Sequence, residues 1–284
     1  MELLKAIEND ITAMCISADE NEPEILRTQI GHRIKLIDSW GIPEGARVLE
    51  LGCGQGETTL ALAHYVGGRG FVHGIDKAPP SYGAPVTLGG ARERLLSLPV
   101  GRRIKIDFDT DVLSRDGFAP DGAFDCAVFS HCSWYFDSPG EFRATVRRVK
   151  SLCKTVCFAE WDLRVTDAGQ LGHYSAALLQ GQYNAYHKEP NSNIKTLFSR
   201  NDIVNILTEE GLRIRKETVI DSGGLQDGLW EIDVALSEYP GKIADSELIP
   251  DGMKFILLSG LGLIKEYKKD NKTKSLPAFS IVAE

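Results

Sequence analysis

Residues 48–56 read VLELGCGQG, a short apolar run that holds one carboxylate and is followed by glycine at every second position. The three glycines are Gly52, Gly54 and Gly56. Glycine loses more backbone entropy on folding than any other residue. Three of them so close together therefore indicate positive φ angles, or a group that approaches the main chain closely. The stretch predicts a buried strand, a tight turn, and something that lies against that turn.

Strands and helices alternate from this turn onward. Short apolar runs that end in polar residues predict strands, and longer amphipathic segments between them predict helices. Alternation over about 120 residues is typical of βαβ units and predicts a doubly wound, mostly parallel sheet. The predicted strands are ARVLEL (46–51), GFVHGID (70–76), RIKIDF (103–108), FDCAVFSH (124–131) and TVCFAEWD (155–162).

The flanking segments complete an α/β fold with seven strands. The stretch 199–220 predicts a helix, a turn and a sixth strand, and the chain ends in a seventh. Further helices are predicted at 2–18, 23–40, 170–188, 229–238 and 253–269. We expect one domain, 1–284, composed of an N-terminal helical segment (1–41), a core (42–162), and a remainder with helical cap insertions (163–284).

Composition excludes several classes of protein. The 284 residues carry a net charge of −8, which disfavours a protein that binds nucleic acid phosphates. Apolar runs fall short of the ~18 residues of a membrane span. The first ten residues are acidic, where a secretory signal would be basic. The six cysteines form no C-x-x-C pair, so we expect buried thiols, no metal site, and a cytoplasmic protein.

A glycine turn after the first strand suits two kinds of cofactor. The dinucleotide fingerprint G-x-G-x-x-G, counted from Gly52, would place its third glycine at position 57, where this chain has Glu57. A carboxylate at that helix N-terminus would repel a pyrophosphate. The sequence therefore disfavours a nicotinamide-dependent oxidoreductase.

The pattern that is present, E-x-G-x-G-x-G from Glu50 to Gly56, resembles the first motif of class I S-adenosylmethionine-dependent methyltransferases of the small-molecule type. Three more matches follow in order. Asp76 ends the second strand, the acidic stretch DFDTD (107–111) ends the third, and FDCAVFSH resembles the fourth motif. The resemblance covers 45–160, the helix and strand at 200–220, and the final strand.

The resemblance implies S-adenosyl-L-methionine as the cofactor. Asp76 would take both ribose hydroxyls, because a carboxylate can accept two hydrogen bonds from a vicinal diol. Asp109 or Asp111 would meet the adenine amino group, and the residues leave that choice open. The other candidates for cofactor contact are Glu50, Gly52, Cys53, Gly54, Gly56, Lys77 and Ser130.

One stretch departs from the family pattern. After the second strand, residues 76–96 read DKAPPSYGAPVTLGGARERLL, where the family often proceeds quickly into a helix. The two prolines and the further glycines and prolines predict a loop. Such a loop either lies beside the cofactor or substrate or is an ordinary surface loop.

Methyl transfer from a sulfonium needs alignment of the acceptor more than it needs a reactive side chain. A general base is required only if the acceptor must lose a proton. His131, at the carboxyl end of the fourth strand, is the candidate base, and the alternative is that it only shapes the pocket. His32 and Arg33 precede the first strand and could cover the cofactor. The candidate substrate residues are Trp134, Tyr135, Trp161 and Tyr174.

The helix at 170–188 has two interpretations. Its aromatic and histidine side chains could close a lid over the substrate, or they could be the core of an ordinary helix. The side chains concerned are His173, Tyr174, Tyr183, Tyr186 and His187.

The sequence thus predicts a methyltransferase that acts on oxygen, nitrogen or sulfur of a small organic molecule. We expect it to have no nucleic-acid or membrane partner and to be a monomer or a homodimer. The rival is a protein that binds the same cofactor without transferring its methyl group.

Overall fold

The computed structural model describes residues 5–7, 9–10, 22–114, 118–188, 192–269 and 272–284. Within these residues, seven strands form one sheet with the spatial order β3-β2-β1-β4-β5-β7-β6. The first five pair in parallel, and β7 is antiparallel to both of its neighbours. The strands are β1 (Arg47–Leu51), β2 (Phe71–Ile75), β3 (Ile104–Asp107), β4 (Phe124–Ser130), β5 (Cys153–Trp161), β6 (Ile214–Ile220) and β7 (Ala278–Ala283). The predicted α/β fold, doubly wound and mostly parallel, is confirmed.

Eight helices of nine residues or more surround this sheet in the described part of the chain. The helices predicted at 23–40, 170–188 and 253–269 agree with the structure to within two residues, whereas the helix predicted at 229–238 extends from Asp227 to Ala244. The predicted helix at 2–18 lies mostly outside the described residues, although 5–7 and 9–10 are helical. The eight are α1 (Glu22–Trp40), α2 (Glu57–Tyr65), α3 (Leu88–Ser97), α4 (Pro139–Leu152), α5 (Leu171–His187), α6 (Arg200–Glu209), α7 (Asp227–Ala244) and α8 (Asp251–Lys269).

Apolar side chains cover both faces of the sheet, as a parallel sheet requires. Phe129, Phe142 and Phe158 are fully buried in one layer, and Ile37 and Leu60 are buried in the other. This double burial explains why β1, β4 and β5 read as nearly continuous apolar runs. It also leaves the carboxyl ends of these strands as the place where polar side chains gather.

Helices α5, α7 and α8 pack against one another and form a helical cap. Their shared apolar cluster includes Leu179, Tyr183, Ile232, Tyr239 and Leu257. The cap follows β5 and β6 in the chain, so it begins at the carboxyl edge of the sheet. None of the described helices is both long and apolar enough to cross a bilayer.

Candidate active site

A cavity of about 790 Å³ lies where β1, β2, β4 and β5 end. Ligands of open α/β sheets bind at this edge, and small-molecule sites have volumes of about 300–1,000 Å³. Most of the predicted site residues belong to its wall. These are Glu50, Gly52, Cys53, Gly54, Asp76, Lys77, Asp111, Ser130, His131, Trp134, Tyr135 and Trp161.

The glycine turn presents bare backbone to this cavity. Gly54 has a φ of +52°, and a Cβ built on it would meet nothing within 4 Å. Its N–H donates to Asp76 Oδ2 at 2.9 Å, and the Ala78 N–H donates to Oδ1 at 2.9 Å. The Asp76 carboxylate is therefore fixed beside the open turn by two backbone donors.

Gly56 lies where α2 packs closely against α3. It is the N-cap of α2 with a φ of +90°, and a Cβ there would lie 2.8 Å from Leu95 Cδ1. It lies outside the cavity wall that the described residues form. Gly56 thus allows α2 to pack closely on α3, and the prediction that it contacts a ligand is not supported.

Glu50 is a buried carboxyl at the start of the turn. Its Oε2 accepts a hydrogen bond from Thr59 Oγ1 at 2.5 Å. Burial raises the pKa of Glu50 to about 8, because an ionised carboxylate loses its hydration there. At neutral pH the group is therefore mainly protonated, which avoids an unpaired buried charge.

The structure separates the two candidates at the end of β3. Asp109 is exposed, has a φ of +50° and lies outside the wall among the described residues. Asp111 lines the cavity, and its carboxylate lies 3.0 Å from Lys77 Nζ. Of the two, Asp111 is the one that lies in the described cavity wall.

The loop that departs from the family pattern belongs to the cavity wall. Pro79, Tyr82 and Leu88 line it. Gln55 Nε2, in the glycine turn, donates to the Val86 carbonyl at 3.0 Å and ties the loop to the turn. Of the two interpretations left open, the ligand-side loop is the one that the structure supports.

His131 forms a pair with a carboxylate that the sequence analysis missed. Its Nδ1 lies 3.2 Å from Glu160 Oε1. Glu160 is buried, and its Oε2 accepts from the Ser133 N–H at 3.0 Å and the Ser133 hydroxyl at 2.8 Å. Ser130 pairs with Ala159 across β4 and β5. The residues that follow them, His131 and Glu160, therefore lie side by side.

The second nitrogen of His131 contacts another histidine. The Nε2 atoms of His131 and His32 are 2.9 Å apart, and His32 Nδ1 lies 3.3 Å from Ser222 Oγ. Burial, followed by the charge of His131, lowers the pKa of His32 to about 2, so His32 is neutral. With a proton on His131 Nδ1 facing Glu160, the His32 N–H donates to the lone pair of His131 Nε2.

Aromatic rings enclose this histidine pair. The Trp161 ring lies 4.5 Å from His131 and stacks against His32 at 6.1 Å, with 5° between the planes. Tyr135 lies in the wall with half of its surface exposed, and Trp134 is buried beside it.

The helix at 170–188 does not close over the cavity with its aromatic side chains. Tyr174, a predicted substrate residue, packs on the apolar layer of the sheet and is outside the described wall. His173 is buried, and its Nδ1 accepts from the Leu276 N–H. Tyr183 stacks on His187 with ring centres 4.3 Å apart. Tyr183 belongs to the apolar cluster of the cap and Tyr186 is exposed, so the structure favours the second interpretation, an ordinary helix.

The residues that the sequence analysis missed come from separate parts of the chain. Glu160 had a signal, because it precedes the named Trp161 at the end of a strand next to β4. Asp162, two residues after Glu160, has a structural role, because it forms ion pairs with Arg164 and Arg200. The cavity residues Asp227 and Glu231 on α7 had no signal beyond their charge.

The comparisons with known proteins agree with this architecture. A family model described as a methyltransferase domain matches residues 24–217. A solved cyclopropane-fatty-acyl-phospholipid synthase-like protein from Lactobacillus casei is 31% identical, with a TM-score of 0.87, over 99% of this chain and 98% of that one. The geranyl diphosphate C-methyltransferase of Streptomyces coelicolor, solved with S-adenosyl-L-homocysteine, is 14% identical, with a TM-score of 0.53, over 100% of this chain and 96% of that one. That second likeness shows the fold alone.

A curated relative matches a shorter segment. Methyltransferase phomM of Diaporthe leptostromiformis is 31% identical over 115 residues, which are 34% of this chain and 29% of that protein. The chain thus matches less than a third of the length of that relative. The family model, however, spans well over half of the chain. The predicted resemblance is confirmed, and the chain belongs to the methyltransferase domain family.

Proposed function

We propose that this protein binds S-adenosyl-L-methionine along the glycine turn and transfers its methyl group to oxygen, nitrogen or sulfur of a small organic molecule. One observation carries the proposal. A single cavity joins the bare backbone at Gly54, with the Asp76 carboxylate, to the chain of hydrogen bonds formed by Glu160, His131 and His32.

The residues present fit the cofactor. The open space at Gly54 lets a ligand approach the backbone, and Asp76 offers carboxylate oxygens to a diol. Asp111 is the acidic group placed to meet the adenine, and Glu50, Gly52, Cys53, Lys77 and Ser130 form the adjoining wall. When bound, S-adenosyl-L-methionine supplies an electrophilic methyl group.

His131 is the proposed proton acceptor. Glu160 holds a proton on His131 Nδ1, so the lone pair is on Nε2. An acceptor hydroxyl or amine that replaces the His32 N–H as donor to this atom can pass its proton to it. Glu160 then stabilises the imidazolium, since the carboxylate is fixed at 3.2 Å.

Trp161, Trp134 and Tyr135 would form the apolar wall around the acceptor. All three line the cavity, and Trp161 lies against both histidines and reduces the access of water to them. Removing water strengthens the interaction between Glu160 and a charged His131.

The acceptor that we propose is small and polar. The description of the Lactobacillus casei protein names a fatty-acyl phospholipid. In this chain the cavity wall contributed by α7 carries Asp227 and Glu231, which do not suit an acyl chain. We therefore infer the class of reaction from the family, and the class of acceptor from the residues of the cavity wall.

Two measurements test the proposal. Calorimetry should show S-adenosyl-L-homocysteine binding to the full chain and NAD failing to bind. S-adenosyl-L-methionine with a radiolabelled methyl group should then transfer label to members of a panel of small phenols, amines and thiols. Binding without transfer to any panel member would support the rival function, and failure to bind S-adenosyl-L-homocysteine would contradict the proposal altogether.

The described cysteines support our proposal for the cellular compartment of the protein. The five described thiols, Cys53, Cys126, Cys132, Cys153 and Cys157, are free and buried. Reduced thiols are usual in the cytosol, and we place the protein there. A monomer and a homodimer are both compatible with the cavity as it stands.

A further inference from the structure

Glu231 lines the cavity from α7, one of the three cap helices. It lies in the second turn of α7, and Asp227 lies one turn earlier on the same face. Carboxylates four residues apart on a helix repel each other. Asp227 gains from its position at the helix N-terminus, but Glu231 lies beyond that first turn.

A buried amide holds the Glu231 carboxylate in place. Gln180 Nε2, on α5, donates to Glu231 Oε2 at 2.6 Å. Gln180 is 1% exposed, and its own oxygen lies 3.5 Å from the Tyr239 hydroxyl. A glutamine placed inside an apolar helix cluster costs free energy unless its polar groups are satisfied. Here one of its donors fixes the direction of a single carboxylate.

The described residues of the wall provide Glu231 with no ion-pair partner. Three cations line the cavity, and each is paired elsewhere. Arg33 pairs with Glu57 at 3.3 Å, Lys77 with Asp111 at 3.0 Å and with Glu141, and Lys195 with Asp137 at 2.8 Å. Burial, with a smaller contribution from Asp227, raises the pKa of Glu231, and the hydrogen bonds from Gln180 and Asn193 oppose that shift. A carboxylate that is costly to ionise there would be stabilised by a ligand that carries the missing positive charge.

Glu231 also faces the chamber where His131 lies. Tyr135, His131, Glu160 and Glu231 all line this one cavity. Glu160 is the partner of His131. One acceptor could therefore reach Glu231 with one group and His131 with another, while it lies against Tyr135.

We propose that Glu231, held by Gln180, is the specificity residue of the acceptor site and binds a protonated amine of the acceptor. This inference rests on the proposed function, because it concerns the same cavity. The acceptor class is then a small amine that bears a second, methylatable group. The ammonium would donate to Glu231 in a charge-assisted hydrogen bond, which is shorter and stronger than a neutral one.

Three probes of one shape test the charge preference. Tyramine, 4-ethylphenol and 3-(4-hydroxyphenyl)propionate share a para-substituted phenol and carry a cation, no charge and an anion. Each is titrated calorimetrically into the full chain saturated with S-adenosyl-L-homocysteine. Tyramine should bind at least about 10-fold more tightly than the other two, and Glu231→Gln should remove most of that advantage, as loss of a charge-assisted hydrogen bond would.

The matched control is Glu238→Gln. Glu238 is on the same helix but is exposed and pairs with Lys242, so this variant should keep the wild-type preference. Tyramine that binds no better than 4-ethylphenol, including the case in which neither binds, would overturn the inference. Glu231→Gln that weakens S-adenosyl-L-homocysteine itself would also overturn it, since Glu231 would then serve the cofactor. If wild type fails to bind S-adenosyl-L-homocysteine, the proposed function fails, and the same titrations into the free chain still decide the role of Glu231.

Discussion

The two ends of the cavity are built in different ways. At the glycine turn, bare backbone and one carboxylate face the ligand, and Gly54 and Asp76 hold each other directly. At the other end, side chains from α1, β4, β5 and the segment after β6 form one hydrogen-bonded series, Glu160, His131, His32 and Ser222. A backbone-built end is fixed by the fold, whereas an end built from side chains can be altered at single positions. We therefore expect cofactor binding and acceptor chemistry to be separable by mutation.

The largest effect is expected at His131. Because its φ is +49°, asparagine is the better replacement, since it tolerates this conformation while alanine does not. His131→Asn should lower turnover by about 10²–10⁴-fold, the range for loss of a general base. Affinity for S-adenosyl-L-homocysteine should stay within about twofold of wild type, because only the side-chain end of the cavity is changed. Single-turnover methyl transfer and calorimetry give the two values.

His187→Asn is the matched control for that variant. His187 is in the cap and contacts Ser246, outside the described cavity wall. A loss of only a few-fold in His131→Asn would mean that His131 shapes the pocket without taking a proton. A parallel loss of cofactor affinity would break the separation of the two ends.

Asp76→Ala should act at the opposite end. The variant removes the carboxylate that we assign to the ribose, and the expected loss is about 1–3 kcal/mol in the binding of S-adenosyl-L-homocysteine. Part of that loss comes from the Gly54 and Ala78 N–H groups, which lose their acceptor. Calorimetry measures the affinity, and circular dichroism checks the fold. Unchanged affinity would refute the ribose assignment.

This contrast also explains how far the sequence could predict the site. The glycine turn and Asp76 belong to one βα unit and its neighbouring strand, so local pattern was sufficient for them. Glu160 was predictable in principle, because β4 and β5 are neighbours that end at the same edge. The contact of His32 with His131 joins residues 99 positions apart, and it depends on how α1 packs over the sheet. The position of Tyr174, outside the described wall, depends on the same kind of packing, since nothing local shows which side of α5 faces the sheet.

Glu50 allows a test at the turn that needs no ligand. In the folded chain it takes up a proton below pH about 8, whereas in the unfolded chain it does so only near its ordinary value of 4.5. Between these values the folded state binds more protons, so the contribution of Glu50 to the free energy of unfolding falls as pH rises. Glu50→Gln should therefore gain about 2 kcal/mol relative to wild type between pH 5 and pH 6.5.

Urea unfolding of both proteins at the two pH values measures this change. Glu238→Gln, which alters an exposed carboxylate, should show no such pH-dependent difference from wild type. Parallel pH profiles for wild type and Glu50→Gln would mean that Glu50 is ionised in the folded protein.

The smallest expected effect separates Asp111 from Asp109. Asp111→Asn keeps the shape of the side chain and leaves Lys77 its contact with Glu141, so the fold should be unaffected. If Asp111 accepts a hydrogen bond from the adenine amino group, this variant should weaken S-adenosyl-L-homocysteine by about 0.5–1.5 kcal/mol. Asp109→Asn should have no effect, since Asp109 is exposed and asparagine accepts its positive φ.

S-inosyl-L-homocysteine, which carries a carbonyl in place of the adenine amino group, completes a double-mutant cycle. Wild type should bind it more weakly than S-adenosyl-L-homocysteine, and Asp111→Asn should reduce that difference. If the cycle instead couples the amino group to Asp109, then Asp109 and not Asp111 contacts the adenine.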